Sequence, residues 1–403
     1  MAVGLPESPN LQKVAGIRLG TACAGIRQPG RTDLLLIEAV PGTQAAAVFT
    51  RNRFCAAPVT VARQHLQQSA PRFCVVNAGN ANAGTGAAGI QAARTTCESL
   101  AELTGCSAES VLPFSTGVIG ELLPVDRLVS ALPAALATLS DNGWSDAARA
   151  IMTTDTVPKG LTLEYEIAGQ PAVMTGIVKG AGMIRPDMAT MLAYIATNIA
   201  ADAATLQICL DRAVDQSFNR ISIDGDTSTN DACLLLATSA GPARISDDAA
   251  LAEFQAALNQ LCNYLAQAVV RDGEGATKFV TVRVSGGASE AECLEIAYAI
   301  AESPLVKTAL FAADPNWGRI LAAVGRSGPV DLDIESVSIY LDECCLARNG
   351  ELAAEYDESV ARAIMAGEEY TLLATLGRGD REVVVWTCDL SHEYVRINAE
   401  YRT

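Results

Sequence analysis

The sequence predicts a mixed α/β or α+β layered fold. Short apolar runs of strand length alternate along the whole chain with longer segments whose apolar residues recur at helical spacing, and turn residues separate them. No segment repeats at a fixed period. At 403 residues, 50% of them apolar, the chain can bury a large core and is long enough to favour two domains over one.

In order, residues 33–40 and 45–50 read as buried strands bounded by Gly30 and Pro41-Gly42, and residues 73–76 as a third. The last feeds Asn77-Ala78-Gly79-Asn80-Ala81-Asn82-Ala83-Gly84-Thr85-Gly86, whose asparagines and glycines suit a strand-to-helix connection, with a helix over 89–103. Residues 121–137 are helical material broken by Pro124 and Pro133, and residues 113–120 read as a turn. Residues 161–167 and 172–178 form a hairpin across Gly169-Gln170. Helices follow near 206–218, at 248–270 with Leu251, Phe254, Leu258, Leu261 and Leu265 on one face, and at 289–301. Strands are expected at 279–284, 337–341, 370–376 and 382–387, and the alternation from Tyr394 to Thr403 predicts one more.

Composition removes several function classes. With 46 acidic and 29 basic residues the formal charge is -17, which repels nucleic acid and anionic membranes. Residues 1–20 lack a continuous apolar core, so no leader is expected, and no continuous apolar stretch reaches the ~18 residues that span a bilayer. A cytoplasmic location follows as the expectation. The twelve cysteines show no Cys-x-x-Cys pair and are read as small buried hydrophobes, with no metal site expected. His65 and His392 are the only histidines, and neither adjoins a nucleophile motif. Acyl chemistry here would need a base other than imidazole.

The central stretch, residues 179–192, supplies one. Thr190 follows the small Ala189 where a glycine-rich segment meets the apolar run 191–196. A threonine hydroxyl attacks the carbonyl before it only where the backbone bends, and Gly180, Gly182 and Pro186 allow that. Hydrolysis of the resulting ester leaves Thr190 as an N-terminus, whose α-amine, reference pKa about 7.7–8.0, can take the hydroxyl proton. Thr116-Gly117 can present N–H groups and a hydroxyl as an oxyanion hole requires. Thr153-Thr154-Asp155-Thr156 is either a capping cluster or a polar group converging on substrate. The asparagine-glycine run lacks the spacing of a phosphate cradle, and residues 222–231, though rich in oxygen, lack that of an EF-hand.

The stretch from Lys179 to Leu192, with Met188-Ala189-Thr190-Met191-Leu192 at its centre, resembles the self-processing site of the ornithine acetyltransferases, the bifunctional glutamate N-acetyltransferases of arginine biosynthesis. Residues 77–86, 115–117, 152–156, 224–231, 272–278, 314–319 and 398–403 resemble family segments in the same order, so the likeness spans the chain. The resemblance implies a layered sandwich in an αββα arrangement, a smaller C-terminal α/β portion, and one precursor cut into residues 1–189 and 190–403. It implies transfer of acetyl from N2-acetylornithine to glutamate through acetyl-Thr190. Thr116 and Gly117 would form the oxyanion hole, while Thr153, Lys179, Thr190, Glu274, Asn398 and Thr403 would hold substrate. Lys179 suits a carboxylate, Glu274 an ammonium, and the Thr403 carboxylate a cationic group. No cofactor is implied, and no residue decides whether acetyl-CoA also serves as donor. Two copies of each fragment are the implied assembly.

Two other readings stay open. A self-cleaving amidase or aminopeptidase of the related fold would pass the acyl group to water. A binding or structural protein would keep an uncut chain and an inert Thr190.

Overall fold

The computed structural model describes residues 2–185, 191–328 and 331–401. The chain divides into two compact units, one of Pro6–Asn219 and Asp226–Val269, the other of Met1–Leu5, Arg220–Gly225 and Val270–Thr403. In chain order the strands are β1 (Ile17–Ala22), β2 (Leu34–Ala39), β3 (Gln44–Phe49), β4 (Phe73–Asn80), β5 (Val111–Val118), β6 (Lys159–Ile167), β7 (Gln170–Lys179), β8 (Leu192–Thr197), β9 (Ile221–Ser222), β10 (Ala232–Ala237), β11 (Phe279–Gly287), β12 (Ser338–Leu341), β13 (Cys344–Arg348), β14 (Glu351–Leu352), β15 (Glu369–Thr375) and β16 (Arg381–Cys388). The helices are α1 (Ala57–Gln68), α2 (Gly86–Thr104), α3 (Val125–Ala137), α4 (Trp144–Ala150), α5 (Ala203–Asp215), α6 (Asp248–Arg271), α7 (Glu290–Ala301), α8 (Pro304–Phe311), α9 (Trp317–Gly325), α10 (Glu358–Ala366) and α11 (His392–Ala399).

The larger unit holds two sheets, ordered β1-β2-β4-β5 and β3-β10-β8-β7-β6. Successive side chains of a strand point to opposite faces, and both faces are used. Leu35, Ile37, Val76 and Phe114 of the first sheet share a core with Tyr194, Ala196, Leu234 and Leu236 of the second. Phe114 and Tyr194 meet edge to face at 5.3 Å across it. The alternate residues Leu34, Leu36, Phe73 and Val75 pack outward on Cys97 and Leu100 of α2 and Leu128 and Leu132 of α3. Beyond the second sheet, a Cβ at Gly176 would lie 2.8 Å from Leu261 of α6, so that strand and helix approach as only glycine permits. Gln207 of α5 exchanges hydrogen bonds with Ala47 of β3. The layers are helix, sheet, sheet, helix. This is the αββα sandwich the resemblance implies.

The smaller unit is a seven-stranded sheet, β14-β13-β12-β15-β11-β16-β9, with β11 parallel to β15 and antiparallel to β16. Val280, Val282, Leu372 and Val385 share one core with Ile296 and Ile300 of α7, Val324 of α9 and Met365 of α10.

Three expectations need correction. Residues 113–118 are strand, not turn: they complete β5, parallel to β4 in the register Ala78↔Thr116 and Gly79↔Gly117. Pro133 does not break α3. It sits on the exposed side, while Leu128, Leu132 and Ala135 are buried, so packing outweighs the lost bond to the Val129 carbonyl. The segment after Ser391 forms α11 rather than a strand. It buries no residue, and Arg396 pairs with Glu393 and Glu400 at helical spacings. The β6–β7 hairpin is present, but its turn lies one residue earlier, at Ala168-Gly169 with φ of 50° and 70°.

All twelve cysteines are free thiols, eight of them buried, and Cys23 is exposed. Among the described residues no helix is long and apolar enough to cross a membrane.

Candidate active site

The site in the larger unit is built where β5, β7 and β10 approach common neighbours. The asparagines at the end of β4 and just beyond it form a local scaffold: Asn77 Nδ2 donates to Ser115 Oγ at 2.6 Å, and Asn77 Oδ1 and Asn80 Oδ1 accept the backbone N–H groups of Asn80 and Asn82. Residues 77–80 thus extend β4 beyond the expected 73–76, and residues 81–85 are the strand-to-helix connection that the composition predicts. Gly117 has φ of 134°, and a Cβ there would lie 2.6 Å from Asn80 N and closer still to the Gly79 backbone. The close approach that requires glycine is therefore to β4.

Lys179, the last residue of β7, is buried and donates from Nζ to Thr116 Oγ1 at 3.2 Å. An ammonium has donors only, so the Thr116 oxygen is the acceptor and its own hydrogen stays available to donate elsewhere. The next residue, Gly180, donates its N–H to Asp155 Oδ1 at 2.7 Å. The same carboxyl accepts Lys159 Nζ at 2.7 Å and the Thr153 N–H at 2.8 Å. Burial alone would raise the Asp155 carboxyl, but the charges of Lys159 and Lys179 with these hydrogen bonds hold it well below the usual carboxylate range. Asp155 is thus the hub that ties Thr153, Lys179 and Gly180 together. Sequence reasoning noticed the cluster around it without this role, and the i, i+4 spacing of Asp155 and Lys159 was the available signal.

The oxygen-rich run before β10 is tied to protein donors. Thr50 Oγ1 donates to Ser228 O at 2.9 Å, Asn52 Nδ2 to Thr227 O at 3.0 Å, and Thr50 N to Asp231 O at 3.0 Å. Asn230 Nδ2 bridges Ala81 O and Ser115 O at 2.6 and 2.9 Å, fastening this run to the end of β5.

In the smaller unit, Glu274 is buried and accepts the Asn398 side-chain amide at 2.7 Å. The neighbouring Gly275, with φ of 71°, would bring a Cβ to 2.6 Å from Ser391 Oγ, and that hydroxyl donates to Gly275 O. Asp389 accepts the Thr277 and Lys278 N–H groups at 2.8 and 3.0 Å. These bonds hold the 272–278 segment against the start of α11.

The structure therefore brings Thr116, Gly117, Thr153 and Lys179 together in one unit and Glu274 with Asn398 in the other. Ala189, Thr190 and Thr403 lie outside the described residues. Of the histidines, His65 is buried with Nδ1 2.8 Å from Val111 O, and His392 packs edge-on against Phe311 at the start of α11.

A model of the ArgJ family matches residues 18–403. The chain belongs to the ArgJ family. It is 54% identical over 408 residues to the arginine biosynthesis bifunctional protein ArgJ of Pseudomonas fluorescens, with 100% of both chains covered. To the protein of the same description from Methylococcus capsulatus it is 56% identical over 405 residues, covering 99% of each. Among solved structures it is similar to the ornithine acetyltransferase of Mycobacterium tuberculosis complexed with ornithine, at 36% identity, over 44% of this chain and 96% of that one, with a TM-score of 0.40. ArgJ membership agrees with the resemblance drawn from the motifs and sets aside a purely structural protein.

Proposed function

We propose that this ArgJ family member is an acetyltransferase of arginine biosynthesis that moves acetyl from N2-acetylornithine to glutamate, after cutting itself between Ala189 and Thr190. Family membership over residues 18–403 and identity above 50% to arginine biosynthesis bifunctional proteins support the pathway. The observation that carries the chemistry is the Lys179 Nζ to Thr116 Oγ1 bond at 3.2 Å. It fixes the Thr116 hydroxyl as a donor polarised by a cation, as a site that stabilises a developing oxyanion needs.

In the proposed cycle the Thr190 hydroxyl attacks the acetyl carbonyl and its proton passes to the α-amine. Thr116 and Gly117 stabilise the tetrahedral oxyanion. The C–N bond then breaks, the α-ammonium returns the proton to the departing amine, and ornithine leaves. Glutamate's amine attacks the acetyl ester by the reverse steps, giving N-acetylglutamate. Thr153 and Lys179 are assigned to substrate in the larger unit, Glu274 and Asn398 in the smaller, and the Thr403 carboxylate completes the set. Two copies of each fragment, in the cytoplasm, are the proposed working form. No cofactor is assigned.

The test has two readings. Denaturing mass analysis should give fragments 1–189 and 190–403, with Thr190→Ala remaining one inactive chain; a single full-length species of the folded, active protein would refute the cut. Ornithine release from N2-acetylornithine should depend on glutamate, and acetate release in its place would identify an amidase. Acetyl-CoA as rival donor in the same assay decides whether both donors serve.

A further inference from the structure

The connection from β1 to β2 is fastened within the larger unit. Ala24 and Ile26 donate their N–H groups to the Asp33 carboxyl at 2.6 and 2.7 Å, and Arg127 Nη1 donates to Gly25 O at 3.0 Å. Ile26 is buried, and a Cβ on Gly79 would lie 3.0 Å from Ile26 Cγ2 and 3.3 Å from Arg27 N. Gly79 faces Gly117 in the β4–β5 register, so the connection lies against the strand pair that carries the proposed oxyanion hole. Its other end reaches a second part of the site. Arg31 Nη2 donates to the Met152 carbonyl oxygen, and the N–H of that same peptide, which belongs to Thr153, donates to Asp155 at 2.8 Å.

Arg31 is half-buried, and the bond to Met152 is the one hydrogen bond or ion pair that its guanidinium makes with the described residues. A guanidinium stays charged and presents a rigid planar fork of N–H donors. A single bond to a neutral carbonyl fixes its plane but leaves the charge and the rest of the fork unmatched, which half-burial makes costly until an anion arrives. The carboxyls tied to these segments are committed: Asp33 to the connection's own N–H groups, and Asp155 to Lys159, Thr153 and Gly180. The neighbouring cation, Lys179, spends a donor on Thr116 Oγ1.

We propose that Arg31 is a specificity-determining residue that binds the α-carboxylate of the amino-acid substrates, its fork taking both carboxylate oxygens while the Met152 carbonyl holds its plane. The inference rests on the proposed acetyl transfer and names the group that recognises what donor and acceptor share. N2-acetylornithine and glutamate differ in the charge at the end of the side chain. Both carry an α-carboxylate beside the nitrogen that gives or takes the acetyl group. A site that serves them in turn needs one carboxylate subsite for both, and a bidentate guanidinium beside Thr153 supplies it where a lysine is only a point charge.

Arg31→Gln removes the charge and the fork. The proposal expects a wild-type melting curve, kcat for ornithine release within about twofold of wild type, and KM raised about 10–100-fold for N2-acetylornithine and glutamate alike. Arg31→Lys keeps the charge without the fork and should recover part of the loss. N-acetylputrescine, which is N2-acetylornithine without its carboxylate, should inhibit wild type and Arg31→Gln with the same constant, whereas a purely structural role would weaken it along with the substrate. Unchanged KM values, a rise for one substrate only, a fall in kcat with KM intact, or an equal loss of affinity for N-acetylputrescine would each overturn the proposal. If Arg31→Gln does not fold, Arg31→Lys carries the test: both KM values should rise severalfold, and unchanged values overturn it. An active wild type with unaffected variants refutes the role of Arg31 alone. A wild type that releases no ornithine refutes the proposed function and this inference with it.

Discussion

Asp155→Asn should destabilise the larger unit more than its modest chemistry suggests. The carboxyl and the Lys159 ammonium are 0% and 1% exposed and 2.7 Å apart. Removing one member of such a pair leaves the other charged and buried, a loss of about 3–5 kcal/mol. For a unit of this size about 2 °C of melting temperature goes with each kcal/mol, so a fall of about 6–10 °C is expected. Differential scanning calorimetry of wild type, Asp155→Asn, Lys159→Met and the double variant supplies the measurement. The two single losses should not add, because either substitution already breaks the pair. The double variant should still fall short of wild type, since Asn offers one oxygen and one NH2 where Asp155 has two oxygens, so either the Thr153 or the Gly180 N–H loses its acceptor. A melting temperature for Asp155→Asn within about 2 °C of wild type, where this reasoning requires at least 3 kcal/mol, would refute the account of the hub.

The same carboxyl gives a pH dependence. Its folded pKa is depressed, so its stabilisation is present above the unfolded value of about 3.9 and is lost as pH falls through the folded value. Stability followed from pH 6 to pH 2 should drop below about pH 4, with a smaller drop in Asp155→Asn. Gly117→Ala places a methyl against the Gly79 backbone and should cost about 1–3 kcal/mol or abolish folding, read by thermal melting; an unchanged melt would refute the close-approach argument. Glu274→Gln keeps an acceptor for Asn398 but removes the charge, so KM for N2-acetylornithine should rise about 10–100-fold with the fold intact, as for loss of a charged hydrogen bond. An extension beyond Thr403 should reduce ornithine release about tenfold or more by displacing the terminal carboxylate, and full activity in a tagged protein would refute that assignment.

The pattern of burial decides which elements the sequence reveals. The β6–β7 hairpin is legible because β6 buries one face, giving alternation, and Gly169 marks the turn. β8 and β10 are buried on both faces, so Leu192–Thr197 and Ala232–Ala237 are plain apolar runs without a period to read. β5 escapes for the opposite reason: Ser115-Thr116-Gly117 has the composition of a turn, and only the facing Gly79 makes it a strand. At the site, residue types point to acyl chemistry, and the family likeness supplies the positions. The contact between Lys179 and Thr116 joins residues 63 apart, and the bond from the Ala232 N–H to Met191 O depends on parallel pairing of β10 with β8. Neither leaves a mark on local spacing.

The strand order β3-β10-β8-β7-β6 has a consequence for the two products of the proposed cut. The break falls between β7 and β8, which are adjacent and antiparallel, Lys179 facing Leu192. The first product keeps β3, β6 and β7, and the second owns β8 and β10, the two ribs between them. Cutting the covalent thread thus leaves a single woven ladder, with each product supplying the hydrogen-bonding edges the other lacks. Made as separate polypeptides, each would present raw strand edges in place of its partner and would be expected to aggregate. On the proposed cut, the intact precursor would act as the jig that sets the weave, with cleavage following once the weave is tied.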